Sequence, residues 1–327
     1  MIQRIKSKLY AFFFWQTSIG ELLNKIYDLN IFLSNSFTNS KVKDKKSFEA
    51  FLTKQYHIIE KGMSLPKPRQ NFGIPKIKVL IEKATEYKNE YGEDRIFNNI
   101  QDTLALYIDR NNTLKTINTE FYNLVINFIN GKNFSQMGGV KTLIKKDIDN
   151  AIAINFENFI KTRSSVRDYD AKDVLASEVA EAIELAKYTP SVCNRQSWKV
   201  HYFDNDAKKT QLLTLQNGNN GFSEKINKLL IITTDTKKFT KLESNQVFGD
   251  GGMFAMSLVL ALHAQGIASC CLNTCLPYVD EQKIKKIGNI PSSERLIMMI
   301  GIGNYKETFE VAISDRISVD EILVINR

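Results

Sequence analysis

Cysteine, histidine, proline and tryptophan are all scarce in this sequence. Its 327 residues include 4 Cys, 3 His, 6 Pro and 2 Trp. Cys193 stands alone, and Cys270, Cys271 and Cys275 lie together in an apolar stretch without a matching His or Cys pair. This spacing argues against a structural zinc site. So few cysteines also argue against a disulfide-stapled secreted scaffold, and we expect a cytoplasmic protein with free thiols.

An excess of one charge is missing from the second half of the chain. Residues 1–150 contain 23 Lys and Arg against 15 Asp and Glu, whereas the remainder contains 21 of each. The whole formal charge of +8 therefore lies in the first 150 residues. Such an excess can serve nucleic acid, an anionic membrane or phosphorylated ligands. Because it is spread over a Lys-, Asn- and Ile-rich sequence, we favour a role in solubility and expect no nucleic-acid partner.

The N-terminus has no hydrophobic run long enough to span a bilayer. Arg4, Lys6 and Lys8 precede the apolar segment Leu9–Trp15, which is too short, and no small-residue cleavage site follows it. Residues 1–20 fit a first helix that packs its aromatic side chains on its own domain. The alternative is a basic amphipathic helix that makes peripheral contact with an anionic membrane.

Helical periodicity dominates the first 150 residues. Phe48, Phe51, Leu52, Tyr56 and Ile59 follow an i, i+3, i+4 stripe. Three further helices are predicted, around Leu80–Tyr87 before Gly92, over Ile96–Tyr107 and over Leu114–Ile129. We predict a mostly helical region over residues 1–150.

Residues 151–327 alternate between helix and strand patterns. A helix capped by Ser177 must end before Pro190, and a long apolar helix spans Val247–Gln265 with Gly266 closing it. The predicted strands are Trp198–Tyr202, Leu229–Thr234, Ile267–Leu272 and Leu296–Ile302. We expect an α+β or α/β layer, with one sheet covered by helices.

Two segments carry side chains suited to chemistry. The run Arg163-Ser164-Ser165-Val166-Arg167 offers guanidinium and hydroxyl donors for an oxyanion such as phosphate. Alone, this run is more typical of a solvated turn. The segment Thr189–Trp198 adds Asn194 and Gln196, whose carboxamides can read the edge of a heterocycle.

Residues 155–327 resemble the flavin-dependent nitroreductases. The resemblance lies in the order of three features: the two segments above and a long apolar helix that ends in glycine before a strand. The resemblance implies an α+β fold with a mixed sheet, bound FMN, and NADH or NADPH as electron donor. It also implies a small-molecule electron acceptor and a homodimer with the flavin at the subunit interface, so that one chain alone has an incomplete site.

The resemblance also implies roles for individual residues. Arg163 and Ser165 resemble ligands of the FMN phosphate and ribityl chain, Ser164 contributes backbone, and Arg316 resembles a second phosphate contact. Arg167 is implied near the pyrimidine edge, where a cation stabilises the anionic reduced flavin. The remaining implied positions are Asn194 and Gln196 at the ribityl chain or ring edge, and Leu272-Asn273, whose backbone approaches the reactive flavin nitrogen.

Three positions depart from the family pattern. Ser197 stands where many members have proline, Ser314 replaces a lysine, and Asn273 stands where many have an acidic residue. The loss of the lysine makes phosphate binding depend more on Arg163 and Arg316.

Other candidate residues are better explained by structure than by chemistry. We expect Trp198 in the sheet core, Cys270 and Cys271 as small buried residues, and Asp250 as the N-terminal cap of the apolar helix. His263 fits a hydrogen-bonded core histidine, and His201 a residue on the polar face of a strand.

The polar segment after the helix predicted around Phe48 has two interpretations. His57, Glu60, Lys61 and Arg69 surround Gly62 and fit either a capped helix with a surface loop or a substrate-facing loop. The segment resembles the helical extension of nitroreductase-like proteins associated with polysaccharide biosynthesis. Two alternatives to a reductase therefore stand: a flavin-binding accessory protein in a membrane-associated polysaccharide pathway, and a flavin-dependent dehydrogenase or oxidase of a dedicated metabolite.

Overall fold

The first part of the chain is helical. The structure, a computed structural model, describes residues 17–38, 42, 44–65, 69–130, 137–142, 154–312, 314 and 316–326. Its first six helices are α1 (Ser18–Asn35), α2 (Lys45–Met63), α3 (Ile74–Tyr91), α4 (Arg95–Arg110), α5 (Leu114–Ile117) and α6 (Thr119–Ile129). The single helix predicted over Leu114–Ile129 is wrong at Asn118, which leaves helical geometry and caps α6 by accepting from Phe121 N at 3.2 Å.

Buried aromatic residues hold these helices together. Tyr87, Tyr107 and Phe121 are fully buried in one core that all the longer helices from α2 to α6 share. The Tyr87 hydroxyl donates to Asp94 at 2.6 Å, and the Tyr107 hydroxyl donates to the Phe72 carbonyl at 2.6 Å. The rings supply apolar area while their hydroxyls remain hydrogen-bonded, which is what burial of tyrosine requires.

The second part combines a sheet with helices on both faces. Its elements are α7 (Phe156–Thr162), α8 (Ala176–Ala186), β1 (Trp198–Phe203), α9 (Asp206–Leu213), β2 (Lys228–Asp235), α10 (Gln246–Ala264), β3 (Ile267–Leu272), α11 (Tyr278–Gly288), β4 (Glu294–Asn304) and α12 (Val319–Ile322). The strand order is β1-β2-β4-β3, and all three strand pairs are antiparallel. Two isolated parallel bridges lie outside these strands, Ser165 with Ser269 and Phe37 with Thr240. The predicted α+β class is confirmed.

Side chains of β2 alternate between two cores. Leu230 and Ile232 pack with α8 and α10, whereas Leu229 and Ile231 pack on the opposite face. Helix α10 packs closely on the sheet at Gly251, where a Cβ atom would stand only 2.6 Å from Ile297. By length and composition α10 is apolar enough to cross a bilayer, but half of its apolar stretch is buried inside the protein. This packing is that of a core helix.

Two predicted helix caps are wrong. Helix α8 begins at Ala176, before Ser177, because the Glu178 side chain accepts from Leu175 N at 2.7 Å and fixes the start of the helix there. Helix α10 begins at Gln246, so Asp250 lies one turn inside it. The Asp250 carboxylate instead accepts from Val192 N at 3.1 Å and from Gln246 Nε2 at 2.7 Å.

The helical region packs directly on the second part. Lys46 Nζ lies 2.6 Å from the buried Asp235 carboxylate, and Asp28 lies 2.6 Å from Arg295. Phe37 N donates to the Phe239 carbonyl at 3.2 Å. The predicted boundary between residues 150 and 151, like residues 1–16 of the N-terminal segment, lies outside the described residues and stays a prediction.

Candidate functional site

The segment from Arg163 to Arg167 runs along the outer edge of β3. Val166 N donates to the Ser269 carbonyl at 3.0 Å, and the Val166 side chain is fully buried. Because neighbouring side chains in extended backbone point in opposite directions, Ser165 and Arg167 lie on the side opposite Val166. One buried valine thus turns the serine and the arginine away from the core.

Arg167 lies at a cavity of about 750 Å³. Its guanidinium is 5.8 Å from the centre of the Phe222 ring, and Nη1 donates to the Ser165 carbonyl at 3.3 Å. Residues 308–310 of the C-terminal tail line the same cavity. The sequence analysis missed Phe222. The available signal was Gly221 just before it, because glycine permits the left-handed turn, with a φ of 85°, that the chain makes there.

Arg163 follows α7 and lies near two aromatic residues of the second part. Burial lowers the pKa of His263, and the nearby Arg163 cation lowers it further. The His263 ring lies 2.9 Å from the Tyr305 hydroxyl and 3.2 Å from Thr162 Oγ1. Both ring nitrogens of His263 are therefore within hydrogen-bond distance of a hydroxyl, as predicted for a hydrogen-bonded histidine.

The loop with Asn194 and Gln196 lies at the opposite edge of the sheet, before β1. Cys193, Asn194 and Gln196 all adopt left-handed backbone, with φ of 50°, 53° and 48°. Gln196 N donates to Ser191 Oγ at 3.0 Å, and Gln196 Nε2 donates to Asn194 Oδ1 at 3.1 Å. Non-glycine residues rarely adopt this conformation, so three in one short loop show that its shape is fixed by specific contacts.

Arg195 supplies the main contact that fixes this loop. Its side chain is fully buried, and Nη2 lies 2.6 Å from the Glu243 carboxylate. Nε donates to the Val192 carbonyl at 3.2 Å, and the guanidinium stacks over Phe239 at 5.6 Å. Burial raises the pKa of Glu243, but the Thr240 backbone N–H and Arg195 outweigh that effect, and the net pKa is lowered. The sequence analysis missed this role of Arg195.

The structure does not bring these two groups together within one chain. Strands β2 and β4 separate β1 from β3. At the usual strand spacing, β1 and β3 are about 14 Å apart, and the segment from Arg163 to Arg167 lies one step farther out. The predicted contacts at Arg163, Ser164, Ser165 and Arg167 therefore form one group, and those at Asn194 and Gln196 form another.

Leu272 and Asn273 lie where β3 ends. Leu272 is buried and pairs with Met299 of β4. Asn273 is exposed, and its carbonyl accepts from Gln216 Nε2 at 3.1 Å. Asn273 also lines a cavity of about 470 Å³ formed with α1. The predicted approach of this backbone to a flavin stays a prediction.

Arg316 lies in the C-terminal tail, where its guanidinium donates to the Ser314 carbonyl. Its predicted phosphate contact stays a prediction. Exposed apolar residues are concentrated in this tail: Phe309, Val311, Ile317, Val319, Ile322, Leu323, Val324 and Ile325.

Most of the residues that we assigned to structure are confirmed in that role. Trp198 packs on the core and stacks on Phe254 with ring centres 4.7 Å apart. Cys270 is buried, but the prediction for Cys271 is wrong, because the side chain of Cys271 points to the exposed face of β3. His201 lies 2.7 Å from the buried Glu294 carboxylate.

His57, Glu60, Lys61 and Arg69 do not form one polar cluster. His57 Nδ1 lies 3.0 Å from Glu60, and the other Glu60 oxygen accepts from Gly139 N at 2.9 Å. Lys61 and Arg69 are exposed, and Arg69 lies beside Phe72 at a separate cavity. The contacts of Glu60 are those of a residue that fixes the 137–142 segment on α2.

Comparison with known proteins finds one family and several related structures. The Nitroreductase family model matches residues 160–236 and 210–304. No curated protein matches the chain at the significance required. A nitroreductase family protein from Streptococcus pneumoniae is 25% identical, with a TM-score of 0.46, and the match covers 53% of this chain and 100% of that one.

Two further solved structures match the same share of the chain. An FMN-dependent nitroreductase from Clostridium difficile is 20% identical, with a TM-score of 0.45, and the match covers 52% of this chain and 98% of that one. A nitroreductase-like protein from Streptococcus mutans is 22% identical, with a TM-score of 0.44, and the match covers 53% of this chain and 98% of that one. The match to the Nitroreductase family model thus lies within the C-terminal part of this chain, over residues 160–304.

Proposed function

We propose that this protein is an FMN-dependent oxidoreductase that transfers hydride from NADH or NADPH to a small-molecule acceptor. The observation that carries the proposal is the segment from Arg163 to Arg167, which Val166 pins along β3 so that cationic and hydroxyl donors face outward. The Nitroreductase family match over residues 160–304 supports it.

The donors at this edge fit a phosphorylated flavin. Arg163 and Ser165 offer a guanidinium and a hydroxyl, which are suitable donors to phosphate. Arg167 lies beside Phe222 at a cavity of about 750 Å³, which is within the usual size of a small-molecule site of roughly 300–1,000 Å³. Bound FMN would supply the redox chemistry, accepting hydride from the nicotinamide and donating it to the acceptor.

The protein's part in this chemistry is orientation and charge. Arg163 and Ser165 would hold the phosphate, and the backbone after Leu272 would face the ring. Arg167, near the pyrimidine edge, would stabilise the negative charge that appears when the ring is reduced.

We also propose that the working site is completed by a second copy of the chain. Its support is the separation of Asn194 and Gln196 from the segment from Arg163 to Arg167, and the apolar surface that one chain leaves uncovered. Phe248, Met253 and Met256 on α10 are each more than two-fifths exposed. Exposed apolar residues on α10 and in the tail are of the kind that protein interfaces cover.

Identification of the released cofactor tests the proposal. The purified protein should be yellow, and denaturation should release FMN. Arg163→Ala should weaken FMN binding about ten- to a hundredfold, because it removes a charged hydrogen bond. Lys161→Ala is the matched control, since Lys161 is an exposed cation two residues away that pairs with Glu157. A colourless protein that cannot be reconstituted with FMN would refute the proposal.

A further inference from the structure

Helix α1 carries a row of exposed apolar side chains, which we call the α1 stripe. It consists of five residues that are each 44–60% exposed: Ile19, Leu22, Ile26, Leu29 and Leu33. Their spacing alternates between three and four residues, which keeps all five on one face of the helix. Single apolar residues on a surface need no explanation, but a continuous row along one helix marks an interaction surface.

The opposite face of α1 is the one that packs on the second part. Asn24 accepts from Tyr278 N at 2.7 Å, and Asp28 lies 2.6 Å from Arg295. The Tyr27 ring packs on Tyr278 with ring centres 5.4 Å apart. At 3.6 residues per turn, these positions are centred roughly 180° from the α1 stripe. The stripe therefore faces away from the contacts that hold α1 in place.

The residues of the α1 stripe are those of a two-stranded coiled coil. Counted in heptads, Ile19, Ile26 and Leu33 occupy the a positions, and Leu22 and Leu29 occupy the d positions. Isoleucine at a with leucine at d favours a parallel pair of helices. A stripe confined to a and d is the narrow seam of a coiled coil, whereas a helix that packs on a globular core has a broader apolar face.

The charges of α1 fit a second copy of the helix better than an anionic membrane. A helix that lies on such a membrane is rich in Lys and Arg on its polar face. Helix α1 contains one basic residue, Lys25, against the two acidic residues Glu21 and Asp28. In a parallel pair, Lys25 at position g would face Asn30 at position e of the partner helix, so like charges do not meet there.

The α1 stripe adjoins the exposed face of α10. Leu29 of the stripe and Phe248 of α10 line one cavity of about 200 Å³. Phe248 belongs with Met253 and Met256 to the face of α10 that a second copy is proposed to cover. The stripe spans about two heptads, fewer than the three or four that indicate an independent coiled coil. The neighbouring α10 face supplies the further apolar surface that such a short pairing needs.

We propose that α1 pairs with α1 of a second copy of this chain, as a short parallel coiled coil beside the α10 face. The proposal rests on the second copy proposed above, but it does not rest on FMN. It gives the helical region a part in self-association.

Disulfide cross-linking of the full-length protein tests the proposal. In a parallel pair each stripe residue meets its own counterpart, so Leu33→Cys should form a covalent dimer under mild oxidation. In an antiparallel pair the two copies of position 33 would lie at opposite ends, too far apart for a disulfide. Ser34→Cys is the matched control, because Ser34 is exposed beside Leu33 but lies outside the stripe. Leu33→Cys should give roughly fivefold more covalent dimer than Ser34→Cys, because disulfide geometry is specific.

Sedimentation velocity gives a second measurement without cross-linking. Ile26→Glu should weaken self-association at least about tenfold, because it places a charge in the centre of the seam. Ile26 is 54% exposed, so this substitution does not disturb the core. Glu21→Gln, an exposed position of the same helix outside the stripe, should leave self-association unchanged.

The outcomes separate this proposal from those above. A colourless protein that still forms the Leu33→Cys dimer would refute the proposed function and support the pairing. Equal yields from Leu33→Cys and Ser34→Cys, while Met253→Glu still weakens self-association, would overturn the pairing and leave the α10 interface in place. Binding to phosphatidylglycerol vesicles that Ile26→Glu abolishes, again with equal yields, would assign the stripe to a membrane and overturn the pairing as well.

Discussion

The two edges of the sheet hold their candidate residues in different ways. At the β3 edge, the segment from Arg163 to Arg167 is pinned by backbone pairing and by one buried valine, while its donors stay on the surface. At the β1 edge, the loop carrying Asn194 and Gln196 is fixed by a buried ion pair and by three residues in left-handed backbone. Two arginines near these edges are therefore in opposite environments: Arg167 is exposed, whereas Arg195 is buried and holds the loop through Glu243.

The largest expected effect is on stability, and it separates these two arginines. Arg195→Met should reduce the free energy of unfolding by about 3–5 kcal/mol, because it leaves Glu243 half-buried without its partner. Arg167→Met should change it by no more than about 0.5 kcal/mol, since Arg167 is exposed. Urea unfolding measures both. Equal losses would show that the two edges are held in the same way.

The next prediction concerns α10, which anchors the β1 edge through Asp250 and Val192. Gly251→Ala should cost about 1–3 kcal/mol because the new methyl group would meet Ile297. Gly252→Ala, at the exposed neighbouring position, meets no atom within 4 Å and should stabilise the isolated chain by up to about 1 kcal/mol. Thermal unfolding of both variants measures these effects. A neutral Gly251→Ala would contradict this packing.

The third prediction concerns the exposed face of α10, which a second copy of the chain is proposed to cover. Met253→Glu should weaken self-association at least about tenfold, because it places a charge on an apolar surface that a second copy is proposed to cover. Leu242→Glu is the control, since Leu242 is 98% exposed in a loop. Sedimentation velocity at several concentrations measures the shift. If both variants associate like the original protein, this face is not the interface.

The smallest expected effect is kinetic and belongs to the β3 edge. Arg167→Gln should retain FMN but slow its reduction by NADH or NADPH roughly tenfold, about 1.4 kcal/mol on the barrier. The reason is that the cation stabilises charge that appears during reduction. Stopped-flow absorbance and a redox titration measure the effect. An unchanged rate together with an unchanged potential would remove Arg167 from the site.

Periodicity predicted most of the elements because their burial is one-sided and regular. The strand Ile267–Leu272 and the helices around Phe48 and Leu80 are confirmed. The errors arise where a hydrogen bond determines the structure, either a local capping bond or a bond to a residue distant in sequence. Asn118 interrupts a helix by capping the next one, and Asp250 binds a loop 58 residues away in sequence, where it had been predicted to cap its own helix.

The candidate site was predicted less completely than the fold. The order of the motifs made Arg163, Arg167, Asn194 and Gln196 candidates, and their role in a site stays a prediction. The motifs carried no information about which edge of the sheet each residue occupies, since that depends on the β1-β2-β4-β3 order. The burial of Arg195 depends on Glu243, which follows it by 48 residues. No local pattern reveals such a pair.

A mixed dimer shows whether one FMN site takes residues from two copies of the chain. Arg163→Ala and Asn194→Gly each remove one group, and glycine keeps the left-handed backbone of position 194 available. Each variant alone should bind FMN weakly. If the two edges of different copies form one site, the purified heterodimer should contain one intact site and regain tight FMN binding at that site. A heterodimer that binds FMN no better than either variant alone would contradict a site shared between copies.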